Sequence, residues 1–360
     1  MSEFLLNYWY VAALSSEVSA AAPLGRIFCN LPVVLFRDSQ GVPHALEDRC
    51  CHKNYPLHRG EVEGDALRCG YHGFLYDAAG TCIEIPGQST IPRMARVISY
   101  PVVERHGWIW IWLGDPALAD PADITDYHWL DDPGWGAKST RLHVKANYRL
   151  MIQNLLDLTH LAFVHRSTIG NRAVVDNADV RFDRGENEVK VTRWMLDIPA
   201  PPAYVKAGRF TGNIDRWMIV HYAPPGFCRL YTGGCPAGTG APEGNRVQEM
   251  GWRNLNAVTP ETERTTHYFW GQAHNHDVGD QAVTDLVFDN VRIAFEEDHR
   301  VFEDQQRTID LVGERARMEV SVAADAGATH AMRILDRLLA DQRGGKPAMV
   351  RPADLAWGPY

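Results

Sequence analysis

The sequence predicts an α+β protein in which a small all-β domain precedes a larger domain of helices and an antiparallel sheet. Up to about residue 115, short β-rich runs alternate with turn signals, whereas beyond it helical periodicity flanks a strand-rich middle. The stretch 114–136 is rich in Pro, Asp and Gly, as connectors between domains are. A chain of 360 residues is long enough for two domains. We expect them at 1–118 and 119–360.

The N-terminal domain is predicted from four runs rich in β-branched and aromatic residues. Turn-forming residues bound each run, which is typical of strands joined by tight turns. The runs are RIFCNLPVVLFRD (26–38), GVPHALED (41–48), DALRCGYHGFLYDAAGTCIEIPG (65–87) and VERHGWIWIWLGD (103–115). Together they indicate a small antiparallel β domain.

The C-terminal domain is predicted to begin with a helix over residues 147–165 and to continue with strands between residues 178 and 275. A long helix follows over residues 283–309. Residues 328–343 have the periodicity of a last, amphipathic helix. The strands of this domain therefore lie mostly between its helices.

Composition argues against several kinds of partner. The formal net charge of -9 and the pI of about 5.9 disfavour a nucleic-acid or anionic-membrane surface, because both need a basic face. The sequence shows no cationic leader and no apolar run of membrane-spanning length, so we expect a cytoplasmic protein. Its seven cysteines are odd in number and scattered, which does not favour a disulfide framework.

Four potential metal ligands lie in the segment RCCHKNYPLHRGEVEGDALRCGYHGF. They are Cys50-x-His52 and Cys69-x-x-His72, and sixteen residues separate the two pairs. Each pair lies between predicted strands, where two loops could meet. A zinc ion could use the same groups, although zinc fingers usually place paired cysteines before paired histidines. One Cys and one His on each loop suit a two-iron cluster better, with two cysteines on one iron and two histidines on the other.

A second group lies on the first predicted helix and consists of Asn154, Asp157, His160 and His165. Asp157 and His160 are three residues apart and share a helix face, so the carboxylate can touch the edge of the imidazole. His165 lies about 140° round an ideal helix from His160. Both histidines could bind one ion only if the helix is irregular or ends between them. Two histidines near an apolar helix are otherwise more often packing residues than ligands.

Asp298 lies on the long C-terminal helix. Apolar residues repeat at helical spacing over 287–302, and Asp298 falls on their stripe, whereas Glu296 and Glu297 are expected to point elsewhere. A carboxylate that faces the core needs a cation or strong donors. A salt bridge to an arginine would satisfy it. So would a 2-His-1-carboxylate iron(II) site formed with the two histidines of the first helix.

Over nearly its whole length the sequence resembles the Rieske non-haem iron oxygenases, in particular the oxygenase components of vanillate and isovanillate O-demethylases, a branch that includes dicamba monooxygenase. Asp-x-x-His-x4-His followed by a late Asp is typical of that family. The resemblance also rests on NYWYVAAL, GWIWIWLGDPALADP, YRLMIQNLLDLTHLAFVH, VTPETE and HYFWG. Where the family usually has Cys-Pro-His-Arg, this chain has CCHK, so Cys51 and Lys53 are departures and Cys51 offers a competing thiol.

The resemblance implies an N-terminal Rieske domain and a C-terminal catalytic domain of helix-grip fold. It implies that a 2Fe-2S Rieske cluster is bound by Cys50, His52, Cys69 and His72. It implies that a mononuclear Fe(II) is bound by His160, His165 and Asp298.

The resemblance also implies how the two centres communicate. Related proteins are ring-shaped trimers, in which the cluster of one subunit lies beside the iron of the next. His72 would approach His160 of the neighbouring chain through Asp157, which is assigned to electron transfer and to the orientation of His160. Asn154, one helical turn earlier, is assigned as a further supporting residue.

The implied reaction is O-demethylation of a methoxylated aromatic acid such as vanillate or isovanillate, which releases formaldehyde and a phenol. O2 is the co-substrate. NADH would supply electrons through a separate flavin and iron-sulfur reductase, since the chain has no dinucleotide or flavin fingerprint of its own. The alternatives are hydroxylation of a methyl group, dihydroxylation of a ring, a Rieske electron carrier that needs only the first domain, and a zinc-stabilised binding protein.

The sequence does not single out the residues that bind an acidic substrate. An aromatic acid needs a cation or a few donors for its acid group and an apolar box for its ring. The candidates are Arg216, His221, His267, Tyr268 and Trp270. Each of these is more often a packing residue or part of a surface salt bridge.

Overall fold

The computed structural model describes residues 3–208, 210–246, 248–352 and 355. Backbone contacts divide the chain into two units. The first extends to Ile124 and also includes 259–262, and the second comprises 125–258 and the chain from Glu263 onward. The division falls inside the connector segment 114–136, and the boundary at 118–119 remains a prediction.

The first unit is built of β-strands, as predicted. Its strands are β1 Trp9–Leu14, β2 Leu24–Phe28, β3 Leu31–Arg37, β4 Pro43–Glu47, β5 Glu61–Glu63, β6 Ala66–Arg68, β7 Leu75–Asp77, β8 Cys82–Glu84, β9 Ser99–Tyr100, β10 Val102–Arg105 and β11 Trp108–Trp112. They form antiparallel sheets in the orders β1-β11-β10, β2-β3-β4-β9 and β5-β6-β7-β8. Short strands with tight connections agree with the turn-bounded runs of the sequence.

Aromatic burial holds the first sheet together. All five residues of β11 are buried, and Trp112 packs edge-on against Trp9 of β1 with ring centroids 5.6 Å apart. A strand buried on both faces reads as a continuous apolar run, which explains the sequence WIWIW. A separate core lies under the small sheet β5-β8 and includes Leu67 and Tyr76.

The second unit contains one large antiparallel sheet. Its strands are β12 Gly136–Val144, β13 Ala178–Arg184, β14 Val189–Ile198, β15 Ile214–Ala223, β16 Phe227–Pro236, β17 Met250–Thr262 and β18 Thr265–His274, and residues 259–262 at the end of β17 belong to the first unit. The order β12-β18-β17-β16-β15-β14-β13 is a meander from β13 to β18, closed at one edge by β12. Together with its helices, this sheet confirms the predicted α+β class.

The helices of the second unit are α1 Tyr148–Leu156, α2 Ala173–Asp176, α3 Pro202–Gly208, α4 Gln281–Val312 and α5 Ala326–Arg343. The predictions of α4 and α5 are confirmed. The prediction of one helix over 147–165 is wrong in length, because α1 ends at Leu156 and a short 3-10 helix, Leu158–Ala162, follows it. The predicted strand region is interrupted by α3.

Side-chain caps explain where α1 and α4 begin and end. Asn147 and Asp280 each accept a hydrogen bond from a backbone N–H of the first turn, and α4 ends before Gly313, whose φ is 58°. The carboxylate of Asp157 accepts a hydrogen bond from the backbone N–H of Thr159. This bond starts a new turn and takes the place of the next hydrogen bond of the helix. Such local competition from Asp ends α1 although the apolar pattern continues.

The aromatic residues of α4 fix it against the sheet. Trp270 of β18 stacks on Phe288 and Phe295, with ring centroids 4.9 and 4.4 Å apart. This contact determines which face of α4 is turned inward. In the described ranges we find no helix whose length and apolar character would let it cross a membrane.

Candidate metal centres and active site

The predicted cluster ligands lie on two loops of the first unit. Cys50 and His52 follow β4, and Cys69 and His72 lie between β6 and β7. The two thiols are buried, with 1% and 2% of each residue exposed, whereas both imidazoles are exposed. The imidazole rings of His52 and His72 lie edge to face with centroids 4.5 Å apart. The structure thus brings the four groups together as a buried sulfur pair and a surface imidazole pair.

This arrangement fits a two-iron cluster. Burial raises the pKa of the Cys69 thiol, and a contact with the Cys50 thiol raises the pKa further, so the two sulfurs are neighbours. Among the described residues, the four groups do not converge on one common ion position, as a tetrahedral zinc site would require. A cluster that takes both cysteines on one iron and both histidines on the other needs this separation of pairs.

Close backbone packing holds the two loops together. A Cβ atom on Gly60 would lie 1.9 Å from the carbonyl oxygen of Arg68, and one on Gly70 would lie 2.6 Å from that of Arg59. Both distances are far below van der Waals contact, so only glycine fits at either position. Direct contact between main chains therefore holds together the two loops that carry the candidate cluster ligands.

Tyr76 is a site residue that the sequence analysis missed. Its hydroxyl lies 3.1 Å from Sγ of Cys50 and 3.2 Å from Sγ of Cys51, and it accepts a hydrogen bond from the backbone N–H of Cys51. Burial and both thiols raise the pKa of Tyr76, so the phenol stays protonated and can donate to a sulfur. Its position on β7, soon after His72, is the only signal that the sequence offered.

In the second unit, His160, His165 and Asp298 form a compact group. Their ligand atoms all lie within 4.8 Å of one another. The Nε2 atoms of His160 and His165 lie 3.7 and 3.1 Å from the two oxygens of Asp298. Asn154 donates to Asp298 Oδ1 at 3.3 Å. Two imidazoles and one carboxylate brought together in this way are the donor set of a non-haem iron(II) site.

The break after α1 brings the two histidines together. With Asp157 in an extended conformation, His160 lies in the 3-10 helix and His165 beyond it, so their rings meet edge to face at 5.1 Å. The contact that this spacing allows between the Asp157 carboxylate and His160 is not formed, because the carboxylate caps the backbone N–H of Thr159. Instead, Nδ1 of His160 lies 2.7 Å from the backbone carbonyl oxygen of Asp157. This bond places the proton on Nδ1 and leaves Nε2 free as a ligand.

Glu297 corrects another expectation. The apolar stripe of α4 predicts that Glu297 points away from the site, but its carboxylate lies 2.7 Å from Nδ1 of His165. Adjacent positions on α4 therefore supply a candidate ligand, Asp298, and the group that orients a second one. Glu296 does point away, as expected, and its carboxylate pairs with Arg292 on the exposed face. The need of a buried histidine for an Nδ1 partner could have suggested Glu297.

The surroundings shift the two imidazoles in opposite directions. Burial lowers the pKa of His160, and the charge of Asp298 only partly offsets this effect. Burial also lowers the pKa of His165, but its bonds to Asp298 and Glu297 outweigh burial, and the net pKa is raised. Neutral imidazole is the form that binds a metal, and a metal ion at Nε2 of His165 would replace the proton held there.

A cavity opens beside this group and lies entirely within the second unit. The helical side contributes Asn154, Leu155, Leu158, His160, Leu161, His165, Ile169, Tyr204, Val291, Phe295 and Asp298, and the sheet contributes Arg216, Met218, Leu230, Thr232, Trp252, Asn254 and Gln272. Most of these side chains are apolar, as an aromatic ring requires. The sheet residues alternate along their strands, so they belong to one face.

The structure distinguishes among the residues that the sequence offers as candidates for substrate binding. Arg216 lines the cavity. The residues His221, His267, Tyr268 and Trp270 are buried but are not among those that line it. Trp270 instead packs under α4. Alternate residues of β15 point to the same face of the sheet. The sequence could have identified Arg216 as a cavity residue only if the face that meets the helices had been known.

The two sites, one in each unit, define the class of Rieske non-haem iron oxygenases. Residues 8–101 match the family described as Rieske [2Fe-2S] domain, and residues 144–341 match the Vanillate O-demethylase oxygenase C-terminal domain. The iron-sulfur subunit of a toluene-4-sulfonate monooxygenase system from Comamonas testosteroni is 45% identical over 95% of this chain and 99% of its own. The vanillate O-demethylase oxygenase subunit of a Pseudomonas species is 36% identical over 96% and 98%.

A solved structure gives the same result. Dicamba monooxygenase bound to dicamba superposes with a TM-score of 0.87 at 31% identity and covers 95% of this chain and 99% of its own. The chain therefore belongs to the vanillate O-demethylase family of Rieske oxygenase components. It is an enzyme of multicomponent systems, with a Rieske 2Fe-2S cluster and a mononuclear non-haem iron as cofactors and a reductase as partner. The alternatives of an electron carrier and of a zinc-stabilised binding protein do not hold.

Proposed function

We propose that this oxygenase O-demethylates a methoxylated aromatic acid of the vanillate or isovanillate type. The observation that carries the proposal is that His160, His165 and Asp298 face a cavity with a mainly apolar lining. A methoxy group attached to a ring could occupy such a cavity with its methyl carbon toward the three ligands. Burial of the ring against Leu, Trp and Phe side chains supplies the affinity.

The proposal includes the residues that hold the cofactors. In this proposal Cys50, His52, Cys69 and His72 hold the Rieske cluster. The mononuclear iron is held by His160, His165 and Asp298. Bound there, the iron supplies O2 activation with electrons that arrive through the cluster from NADH and a separate reductase.

The surrounding residues fix the ligands. The Asp157 carbonyl oxygen holds His160 through Nδ1, and Glu297 does the same for His165. Such partners fix ring orientation and raise the basicity of the ligating nitrogen. Asn154 restrains the Asp298 carboxylate. These contacts hold the donor set before any ion is bound.

Asp157 is also proposed to connect the two centres. It lines an open groove of the second unit together with Asn154 and His160, and both of these residues also line the substrate cavity. His160 is therefore reachable from two sides. In a homotrimer, His72 of a neighbouring subunit could approach through the groove while substrate fills the cavity.

The proposed reaction balances as a monooxygenation. A C–H bond of the methoxy carbon is hydroxylated, and the resulting hemiacetal breaks its bond between the methoxy carbon and the ring oxygen. The products are the phenol and formaldehyde. One oxygen atom of O2 enters the product, and the other leaves as water with two electrons and two protons from outside.

A second candidate function is hydroxylation of a methyl group on the ring of an aromatic sulfonate. The observation that favours it is the 45% identity to toluene-4-sulfonate monooxygenase iron-sulfur subunits, against 36% for the vanillate O-demethylase subunit. The same cavity and metal centre would serve both reactions. They differ only in the group that bears the methyl carbon.

A single-turnover assay tests both functions without a known reductase. The holoenzyme is reduced chemically, freed of reductant, and mixed with O2 and vanillate, isovanillate or toluene-4-sulfonate. We expect formaldehyde and the phenol from a methoxybenzoate. A benzylic alcohol from toluene-4-sulfonate, with no formaldehyde from either methoxybenzoate, would replace O-demethylation by the second function. Asp298→Ala protein is the control for turnover that does not need the mononuclear site.

A further inference from the structure

Arg216 is a buried cation whose hydrogen bonds are incomplete. Only 1% of the residue is exposed, and its side chain lines the cavity beside the three candidate iron ligands. Nη2 donates to the backbone carbonyl oxygen of Ile169 at 3.0 Å. Nε and Nη1 have no hydrogen-bond partner. Among the described residues no carboxylate lies within ion-pair distance of the guanidinium.

A cation in this position is unfavourable without an anion. Burial of a charged group that is not fully paired carries a large desolvation penalty. The ring of Tyr204, whose centroid lies 4.7 Å from the guanidinium carbon, offsets part of it through a cation–π contact. The unused N–H donors nevertheless require an acceptor, and a ligand in the cavity is the available source of one.

The sheet wall of the cavity also carries the polar side chains of Thr232, Asn254 and Gln272. Thr232 lies on the strand next to that of Arg216, whereas Asn254 and Gln272 lie two and three strands away. Asn254 and Gln272 already share a hydrogen bond, and the Thr232 hydroxyl pairs with that of Tyr204. Among the sheet residues that line the cavity, Arg216 is the charged one, and its Nε and Nη1 donors are not used by the other polar side chains of this wall.

We infer that the guanidinium of Arg216 binds the acid group of the substrate and so selects anionic aromatic compounds. Charge-assisted bonds from arginine to carboxylate or sulfonate oxygens are the strong ones in proteins. The acid group would lie toward β15, and the carbon to be oxidised would lie toward α1 and α4. The inference rests on the proposed function for the use of this cavity, and it adds the residue that determines the charge of the substrate.

Binding measurements on the anaerobic holoenzyme test the inference. The probes are 4-methoxybenzoate, its neutral amide 4-methoxybenzamide, and toluene-4-sulfonate, titrated by calorimetry. Wild-type protein should prefer the acid over the amide by about 10- to 100-fold, the range expected for hydrogen bonds to a charged group. Arg216→Met should remove most of this preference and leave amide binding nearly unchanged, whereas Arg216→Lys should keep part of it. The ratio of carboxylate to sulfonate affinity identifies the acid group that the site favours.

Arg253→Met is the matched control. Arg253 is also a buried arginine of this sheet, but it stacks on Tyr231 at 3.6 Å and is not among the cavity residues. Its replacement should leave the preference for the acid intact. Equal affinity of wild-type protein for acid and amide, a result that needs no variant, would overturn the inference, as would an unchanged preference in Arg216→Met.

Failure of the inference and failure of the proposed function give different results. If Arg216→Met loses acid binding but wild-type protein releases no formaldehyde, the anion site stands and O-demethylation does not. If wild-type protein releases formaldehyde but binds acid and amide equally, O-demethylation stands and the role of Arg216 is wrong. Iron and sulfide contents of each protein confirm that both metal centres are loaded.

Discussion

The two candidate metal centres are built on opposite principles. The candidate cluster ligands come from one short segment, on two loops in main-chain contact, with the imidazoles at the surface. The candidate iron ligands come from distant parts of the chain, and two of them, His165 and Asp298, are buried beside a cavity. A surface centre suits electron exchange with another protein, and a buried one suits chemistry on a bound molecule. Replacing a residue at one centre should therefore change that centre and leave the other unchanged.

The largest expected effect is that of Cys69→Ser. Loss of a buried thiolate ligand should prevent cluster assembly, so total iron should fall from about three to about one per chain, with no acid-labile sulfide. The measurement is iron and sulfide analysis with the visible spectrum. Cys82→Ala is the control, because its thiol is buried in the same core but bonds the carbonyl oxygen of Glu84. A normal spectrum for Cys69→Ser would remove that residue from the ligand set.

Asp298→Ala should affect the other centre alone. Without the carboxylate, mononuclear iron should be lost while the cluster remains, giving about two irons and about two sulfides per chain. Turnover should stop, because the remaining centre can only carry electrons. The spectrum of the reduced cluster serves as an internal control for folding. Retention of the third iron would mean that another carboxylate is the ligand.

Glu297→Gln should weaken the same centre without abolishing it. Removal of the charge that holds Nδ1 of His165 should reduce the affinity for iron by about 10- to 100-fold, as for other groups that orient a metal ligand. Equilibrium titration of apoprotein with Fe(II) measures the change. Glu296→Gln is the matched control on the exposed face of α4. Equal losses in both variants would assign the effect to helix stability.

The smallest expected effect is that of Tyr76→Phe. The cluster should assemble, but its reduction potential should fall by on the order of 50 mV, because a hydrogen bond to the sulfur stabilises the more negative, reduced state. Protein-film voltammetry gives the potential directly. Tyr100→Phe, in β9 outside the cluster loops, is the control. An unchanged potential in Tyr76→Phe would show that the hydroxyl does not donate to a cluster sulfur.

The difference between the two candidate metal centres also explains how much of each could be predicted from the sequence. The cluster segment is recognisable because its spacing is local, and the β-strands around it follow from turn-bounded runs. The iron site depends on α4 packing against α1 and the sheet, so sequence periodicity could place Asp298 inward but could not reveal the partner of Glu297. The end of α1 was missed because apolar residues continue past Asp157, and the side-chain bond that ends the helix is invisible to periodicity.

The main-chain contact at Gly60 and Gly70 has a consequence for the rate of electron exchange. Loops that already touch through backbone atoms have little freedom to rearrange when the charge between them changes. A small nuclear displacement means a low reorganisation energy, which speeds electron transfer at a given distance and driving force. A side chain at either glycine would separate the loops, so each electron transfer would require a larger rearrangement of the protein. We therefore expect a side chain at either position to slow electron exchange, although neither glycine is a candidate ligand.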